Sequence, residues 1–184
     1  MIETERLVLR KYKDSDAKNL YLMISETPAH YKYTRIPYPY KLKDAKEFIR
    51  KCKLEYRKKS DLPLLVTDKQ TGKIIGTIVI RGLNSPDKKA EMGYTLARSA
   101  TGKGFITEAA EAFVDYAFKK LKLNRVEICC ATKNPASRRV IRRLHADYEG
   151  ISRQALILRG KFHDEHRYAL LKKEWKRKVL YKVK

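Results

Sequence analysis

Acidic residues are scarce in this chain: 21 Asp and Glu stand against 43 Lys and Arg, a formal net charge of +22 over 184 residues. So little compensation leaves a long-range positive field that favours polyanions such as nucleic acid, although a lysine-rich, solvated surface without any partner accounts for the same count. Basic residues are spread from Arg10, Lys11 and Lys13 onward, with the densest clusters at Arg138 to Arg143 and Lys172 to Lys184. Cysteine is sparse too. Cys52 stands alone, and adjacent Cys129 and Cys130 fall in a predicted strand, where neighbours point to opposite faces. These spacings exclude a disulfide framework and a zinc site and leave small, buried thiols. His30, His145 and His166 have no metal-binding spacing either, so no metal is expected. No apolar run approaches the ~20 residues of a membrane span. Glu3, Glu5, Arg6 and Arg10 stand where a signal peptide needs its apolar core. With no repeat or low-complexity linker, and 43% hydrophobic residues, the chain reads as one domain over 1–175 with a basic tail over 176–184, expected in the cytoplasm.

What is present is a strand, a glycine loop and a helix start in direct succession, from Glu91-Met-Gly-Tyr-Thr-Leu96 through Thr101-Gly-Lys-Gly-Phe-Ile-Thr107. Backbone N–H groups at such a helix N-terminus converge on an anion, so a phosphate-bearing ligand is one reading and a plain tight turn the other. Gly102-Lys103-Gly104 does not extend to a GxxxxGK[ST] loop, and Thr107 stands where a dinucleotide fingerprint needs its third glycine. The following helix carries its apolar stripe at Ala109, Ala112, Phe113, Tyr116 and Ala117, with Glu111, Asp115 and Lys119 off it.

The rest of the chain reads as mixed α/β. Leu7 to Leu9 suggests a strand, Asp14 to Ile24 a capped helix and Asp44 to about Lys58 a second one. Leu64 to Thr67, Lys73 to Arg81 and Ala90 to Leu96 form an antiparallel meander broken by turns at Lys69 to Gly72 and Asn84 to Asp87. A strand from Val126 to Ala131, a helix from Pro135 to Leu144 and two strands meeting near Gly160-Lys161 complete the order. Gly93, within its strand, marks a bulge or a close backbone approach.

The segments Ala90 to Leu96, Thr101 to Ala110, Leu123 to Ile128, Asn134 to Leu144, Tyr148 to Gly150, His163-Asp164 and Arg167 to Trp175 resemble, in order, the GNAT N-acetyltransferases, in particular the ribosomal-protein alanine acetyltransferases. Glu3 to Arg10 and Tyr38 to Phe48 agree. The resemblance implies the GNAT fold, a mostly antiparallel sheet whose middle strands splay apart, with flanking helices. It also implies acetyl-CoA as co-substrate and direct attack by a primary amine in a ternary complex. The implied acceptor is a protein N-terminal α-amine, a ribosomal protein among the candidates. A small-molecule amine remains an alternative, although polyamines suit so basic an enzyme poorly; a non-catalytic RNA- or ribosome-binding protein on the same fold is another. The oligomeric state, monomer or homodimer, stays open.

Residue by residue, the resemblance assigns the pantetheine arm to the backbone of Tyr94, Thr95 and Leu96. It assigns the pyrophosphate to Thr101, Gly102, Lys103, Gly104, Phe105, Ile106 and Thr107, with Arg138 in support. Asn134 and Ser137 would lie beside the thioester, Ser137 protonating the departing thiolate; locally the same residues read as an ordinary helix cap. The amine needs a base with a pKa near working pH, and Glu91 matches a Glu of relatives, its other reading being an edge ion pair. His163, Asp164 and Tyr38 are candidates for the acceptor side. The chain departs from the family at three places. Ser99 replaces an Arg or Gln before the loop, His145 replaces a helix-ending glycine, and Leu156 stands where some relatives carry a second Glu base.

Overall fold

The computed structural model describes residues 1–176 and 179–183. Among the described residues nine strands form one sheet: β1 Ile2–Glu3, β2 Leu7–Arg10, β3 Asp61–Asp68, β4 Ile74–Arg81, β5 Lys89–Leu96, β6 Arg125–Ala131, β7 Asp147–Leu158, β8 Lys161–Leu171 and β9 Lys182–Val183. Their spatial order is β7-β8-β6-β5-β4-β3-β2-β1-β9. Every neighbouring pair is antiparallel except β5 and β6, which run parallel. A parallel pair requires a long crossover, and α4, Phe105–Lys119, supplies it. The other helices are α1 Ala17–Ser25, α2 Pro28–Tyr33, α3 Leu42–Lys58 and α5 Pro135–Arg143. The unbroken buried run Leu64–Thr67 at mid-sheet shows that helices cover both faces, since a strand exposed on one side would alternate.

Helix α4 is buried on more than its predicted stripe. Ala110, Val114 and Phe118 join Ala109, Ala112, Phe113 and Ala117 in the core. Asp115, expected off the apolar face, is fully buried, because the C-terminal segment covers that side: the Trp175 indole donates to its Oδ1 at 3.0 Å and Lys119 pairs with it at 2.9 Å. Within the stretch 176–184, Lys182–Val183 form β9, which pairs with β1 at Ile2–Val183 and Glu3–Lys182.

Other departures are local. The first helix opens with a 3-10 turn at Asp14–Asp16. Helix α3 begins two residues before Asp44, whose carboxylate accepts the Lys41 N–H at 2.7 Å. The short α2 was not foreseen. Gly93 makes no bulge: β4 and β5 stay in unbroken register from Gly76–Leu96 to Arg81–Glu91. No backbone comes close to it either: a Cβ there would meet only the end of the Arg81 side chain, 2.8 Å from its guanidinium. His145 does adopt the left-handed conformation of the glycine it replaces, at φ 57°.

Candidate active site

The sheet forks between β5 and β6. Strands β5 and β6 pair only at Lys89–Arg125, Ala90–Val126 and Glu91–Glu127. Beyond that, β5 keeps only β4 through Leu96, and β6 keeps only β8 through Ala131. Main-chain groups of residues 92–96 that would continue the ladder face the gap, and such groups need partners. This is the stretch that holds Tyr94, Thr95 and Leu96. The Leu96 carbonyl is already engaged, accepting from His30 Nε2 at 3.0 Å.

At the mouth of the fork the glycine loop turns into α4. Gly102 and Gly104 both sit at φ 78°, a left-handed conformation that side chains disfavour. Gly104 is the N-cap residue, so the free N–H groups of the first turn of α4 open onto the loop. The side chain of Ile106 is buried in the core, which leaves its backbone for the loop. Thr107 Oγ1 and Arg138 Nε are buried without a hydrogen-bond partner, two orphaned polar atoms among residues expected to meet a phosphate. Lys103 is exposed.

One contributor escaped the sequence reading. Arg6 donates to the Lys103 carbonyl at 3.0 Å and to Glu108 Oε2 at 2.7 Å, while its guanidinium stacks 4.7 Å from the centre of the Phe105 ring. Glu108 also accepts the Arg6 N–H at 3.0 Å. Hydrogen bonds from Thr4 and Arg6 outweigh partial burial and hold the Glu108 carboxyl below its usual range. Arg6 and Glu108 are about a hundred residues apart, with no local pattern to link them.

The two faces of the fork differ in chemistry. Helix α5 packs on one. Asn134 caps it by accepting the Ser137 N–H at 3.1 Å, and the Ser137 hydroxyl meets the Tyr94 hydroxyl at 2.9 Å. Burial pushes the Tyr94 phenol well above its ordinary value, so it stays protonated. Burial also raises the neighbouring Cys130 thiol, against a hydrogen bond from Ser137. Tyr94 and Arg138, expected on the cofactor side, are thus gathered at one corner with Asn134 and Ser137.

Strand alternation sends Glu91 to the opposite face. It is exposed and lies 3.6 Å from Arg81. Its register partner is Glu127, which pairs with Arg125 at 2.8 Å and Arg167 at 3.3 Å. Glu165 on β8, opposite Ala131, belongs to the same face. Its carboxyl is raised first by burial and next by the charge of Glu91, with Arg167 and Arg35 opposing. Cys129, between them, is pushed up to about 12 by burial and by Glu91. Glu165 was not singled out from sequence, because only the β6–β8 register brings it to the fork. Leu156 is buried with Leu158 and Ala131 against Tyr33.

The remaining candidates form a rim. Arg159, at the β7–β8 turn, donates to the carbonyls of Tyr31 and Ile36 at 2.7 Å each, joining that hairpin to α2 and the segment after it. Tyr38 is 72% exposed, its ring edge-on to Tyr31. Asp164 is occupied structurally: its carboxylate accepts the Gln154 N–H at 2.8 Å and its carbonyl the Thr132 N–H at 3.0 Å. His163 is half-buried opposite Leu156. Among the described residues no group of three or more His, Cys, Asp or Glu is placed to hold a metal ion.

A forked sheet with a glycine loop at the parallel crossover defines the acetyltransferase class, and residues 6–147 match the acetyltransferase (GNAT) domain. The chain belongs to this family, and it is an acetyl-CoA-dependent N-acetyltransferase. It is 43% identical over 104 residues to the "Putative ribosomal N-acetyltransferase YdaF" of Bacillus subtilis, a match covering 56% of this chain and 57% of that protein. It is 33% identical over 176 residues to the "Uncharacterized N-acetyltransferase p20" of Bacillus licheniformis, covering 94% and 96%. A crystal structure of a "Probable acetyltransferase" superimposes with a TM-score of 0.85 at 31% identity, over 94% of this chain and 96% of the other.

Proposed function

We propose that the chain acetylates the N-terminal α-amine of a protein, with a ribosomal protein as the favoured acceptor. The observation that carries this reading is the two-sided fork. Hydroxyl donors, Tyr94 and Ser137, stand on the α5 face, and carboxylates, Glu91 and Glu165, stand on the other. Acetyl-CoA supplies the activated acetyl group as a thioester. The residues that fit it are the loop from Thr101 to Thr107, the free edge of β5 and Arg138, where two orphaned polar atoms await partners.

On the carboxylate face an incoming ammonium is attracted, and Glu91 or Glu165 takes its proton so that the neutral nitrogen can attack. The C–N bond forms as the C–S bond breaks; the nitrogen's surplus proton passes to the Ser137 oxygen as the Ser137 hydroxyl, backed by Tyr94, gives its own proton to the thiolate, and the carboxylate releases the first proton to solvent. No covalent bond to the enzyme is required.

A polypeptide acceptor is favoured by the rim. Tyr38, Ile157 and Phe162 are at least half exposed and lie on the two segments that Arg159 joins, and exposed apolar groups beside a cleft suit contact with a chain longer than the amine alone. The likeness to a protein named for ribosomal N-acetylation points the same way. The test is a screen of acetyl-CoA turnover against peptides with free N-termini, ribosomal-protein sequences included, alongside small amines. Mass spectrometry should place the acetyl group on the peptide α-amine. A higher kcat/KM for a small amine than for every peptide overturns the reading.

A further inference from the structure

Helix α3 sorts its charges by face. Lys43, Lys46, Arg50, Lys53 and Arg57 recur at alternating intervals of three and four residues, which places them in one stripe along the helix. No acid interrupts it. The three acids of the helix, Asp44, Glu47 and Glu55, fall on a second stripe with Lys51 and Lys58, where Lys51 and Glu55 lie 3.7 Å apart. Ala45, Ile49 and Cys52 face the core. A merely lysine-rich composition would scatter acids over both exposed stripes; here they are confined to one, and the other carries neighbouring like charges that repel each other.

The all-basic stripe also borders a groove, lined by Asp14, Lys46, Ile49, Arg50, Lys53 and Arg57. Asp14 is spent on Lys53, whose ammonium lies 2.6 Å away. Among the described residues no carboxylate pairs with Lys46, Arg50 or Arg57. The groove is lined by α3 and by residues N-terminal to α1, elements that do not include the fork.

We propose that this face of α3 binds the phosphate backbone of RNA. The stripe spans roughly 21 Å at ~1.5 Å of rise per residue, and a nucleic-acid strand presents a phosphate about every 3.4 Å along its axis, so several phosphates fall within reach of Lys43, Lys46, Arg50 and Arg57, with Lys53 shared with Asp14. The guanidinium forks of Arg50 and Arg57 match phosphate oxygens. A membrane surface fits less well: the exposed apolar residues of α3, Leu42, Phe48 and Leu54, lie at separate points around the helix and form no face to insert. The choice of RNA over DNA rests on the proposed ribosomal acceptor. The site differs from the runs that stand out in the sequence, Arg138 to Arg143 and Lys172 to Lys184, because spacing and not density defines it.

The experiment measures binding of the full chain to a labelled single-stranded RNA, an RNA hairpin and a DNA duplex of equal length between about 0.05 and 0.3 M salt, where counterion release is steep. The triple variant Lys46→Gln, Arg50→Gln, Arg57→Gln is compared with a control of equal charge loss, Lys51→Gln, Lys58→Gln, Lys172→Gln. Removing three phosphate contacts should flatten the salt slope for single strands by about 2 and weaken binding about 100-fold near 0.1 M salt. The control should change far less. Hydrogen exchange on the wild type should show protection over residues 43–57 when RNA is added, which needs no variant to fold. Equal loss in both variants, absence of protection on α3, preference for the DNA duplex, or stripe-dependent binding of poly-glutamate or anionic vesicles in place of RNA would each overturn the proposal. CoA affinity, followed in the same samples, should not move. RNA binding and peptide acetylation can therefore fail separately.

Discussion

The hydroxyls of Tyr94 and Ser137 lie 2.9 Å apart, one on the free edge of β5 and the other in the first turn of α5, and with the Ser137 carbonyl also 3.3 Å from the Tyr94 hydroxyl this contact closes the helix side of the fork. Because burial keeps the Tyr94 phenol protonated, Tyr94 can hold the Ser137 oxygen while Ser137 donates outward. Ser137→Ala should lower kcat by about 10²-fold, the lower end of what general acids contribute, and Tyr94→Phe by less. Calorimetry should find CoA affinity unchanged in both. Unaltered kcat for Ser137→Ala at saturating substrates would remove it from proton transfer.

The loop prediction separates backbone shape from packing. A Cβ on Gly104 would meet only the Arg6 guanidinium, at an ordinary 3.5 Å, so Gly104→Val should fold. The left-handed conformation still costs a side chain roughly 1–2 kcal/mol, and the branched group obstructs approach to the first turn of α4. CoA affinity should fall at least tenfold. Arg6→Ala should weaken it too, by freeing the Lys103 carbonyl, and Arg6→Lys should restore little, since one ammonium cannot span the carbonyl and carboxylate as the guanidinium does. Calorimetric titration of the three variants decides the matter.

Glu165 links activity to stability through pH. Burial and the charge of Glu91 raise its folded pKa, so the folded state binds a proton more tightly than the unfolded chain. As pH rises from the unfolded value of ~4.3 through the folded one, stability is lost. Glu165→Gln should therefore raise Tm at neutral pH, with the gain vanishing below about pH 4, while kcat/KM falls. Glu91→Gln should shift the acidic limb of the kcat/KM profile to lower pH, because Glu165 then ionises more readily. A limb that stays in place would show that Glu165 does not take the proton.

The order of elements and the helix that follows the loop were legible because they are local: periodicity marks α4, Gly102 and Gly104 mark the turn, and Asn134-Pro135 marks the start of α5. The fork itself was accessible only through resemblance, since no pattern within β5 or β6 records where their pairing stops. Gly93 shows the limit of a residue-level rule, which allowed a bulge or a close backbone approach where the strand keeps its register and only the Arg81 side chain lies near. Arg6, Glu165 and the burial of Asp115 were out of reach for one reason. Each depends on a contact between distant segments: Arg6 with Glu108, β6 with β8, and α4 with Trp175.

His30 gives the last prediction. Its buried ring reaches across from α2 to the Leu96 carbonyl, and desolvation lowers its pKa from the ordinary histidine value, against hydrogen bonds that favour the charged form. The unfolded chain therefore takes up a proton that the folded state resists. Stability contributed by the neutral ring is present above the unfolded pKa of ~6.5 and is lost as pH falls from there toward the lower folded pKa. Since α2 leads into the rim segment held by Arg159, the same protonation should loosen the end of β5 and the rim together. His30→Gln, whose amide can still donate to the Leu96 carbonyl, removes the titration and keeps a donor. Its Tm should change less between about pH 7 and about pH 5.5, a window that brackets the free histidine pKa, than that of the wild type, and hydrogen exchange at residues 28–36 should accelerate on acidification only when His30 is present. Parallel Tm profiles for the two proteins would mean that the ring titrates without strain and that α2 is held by its other contacts.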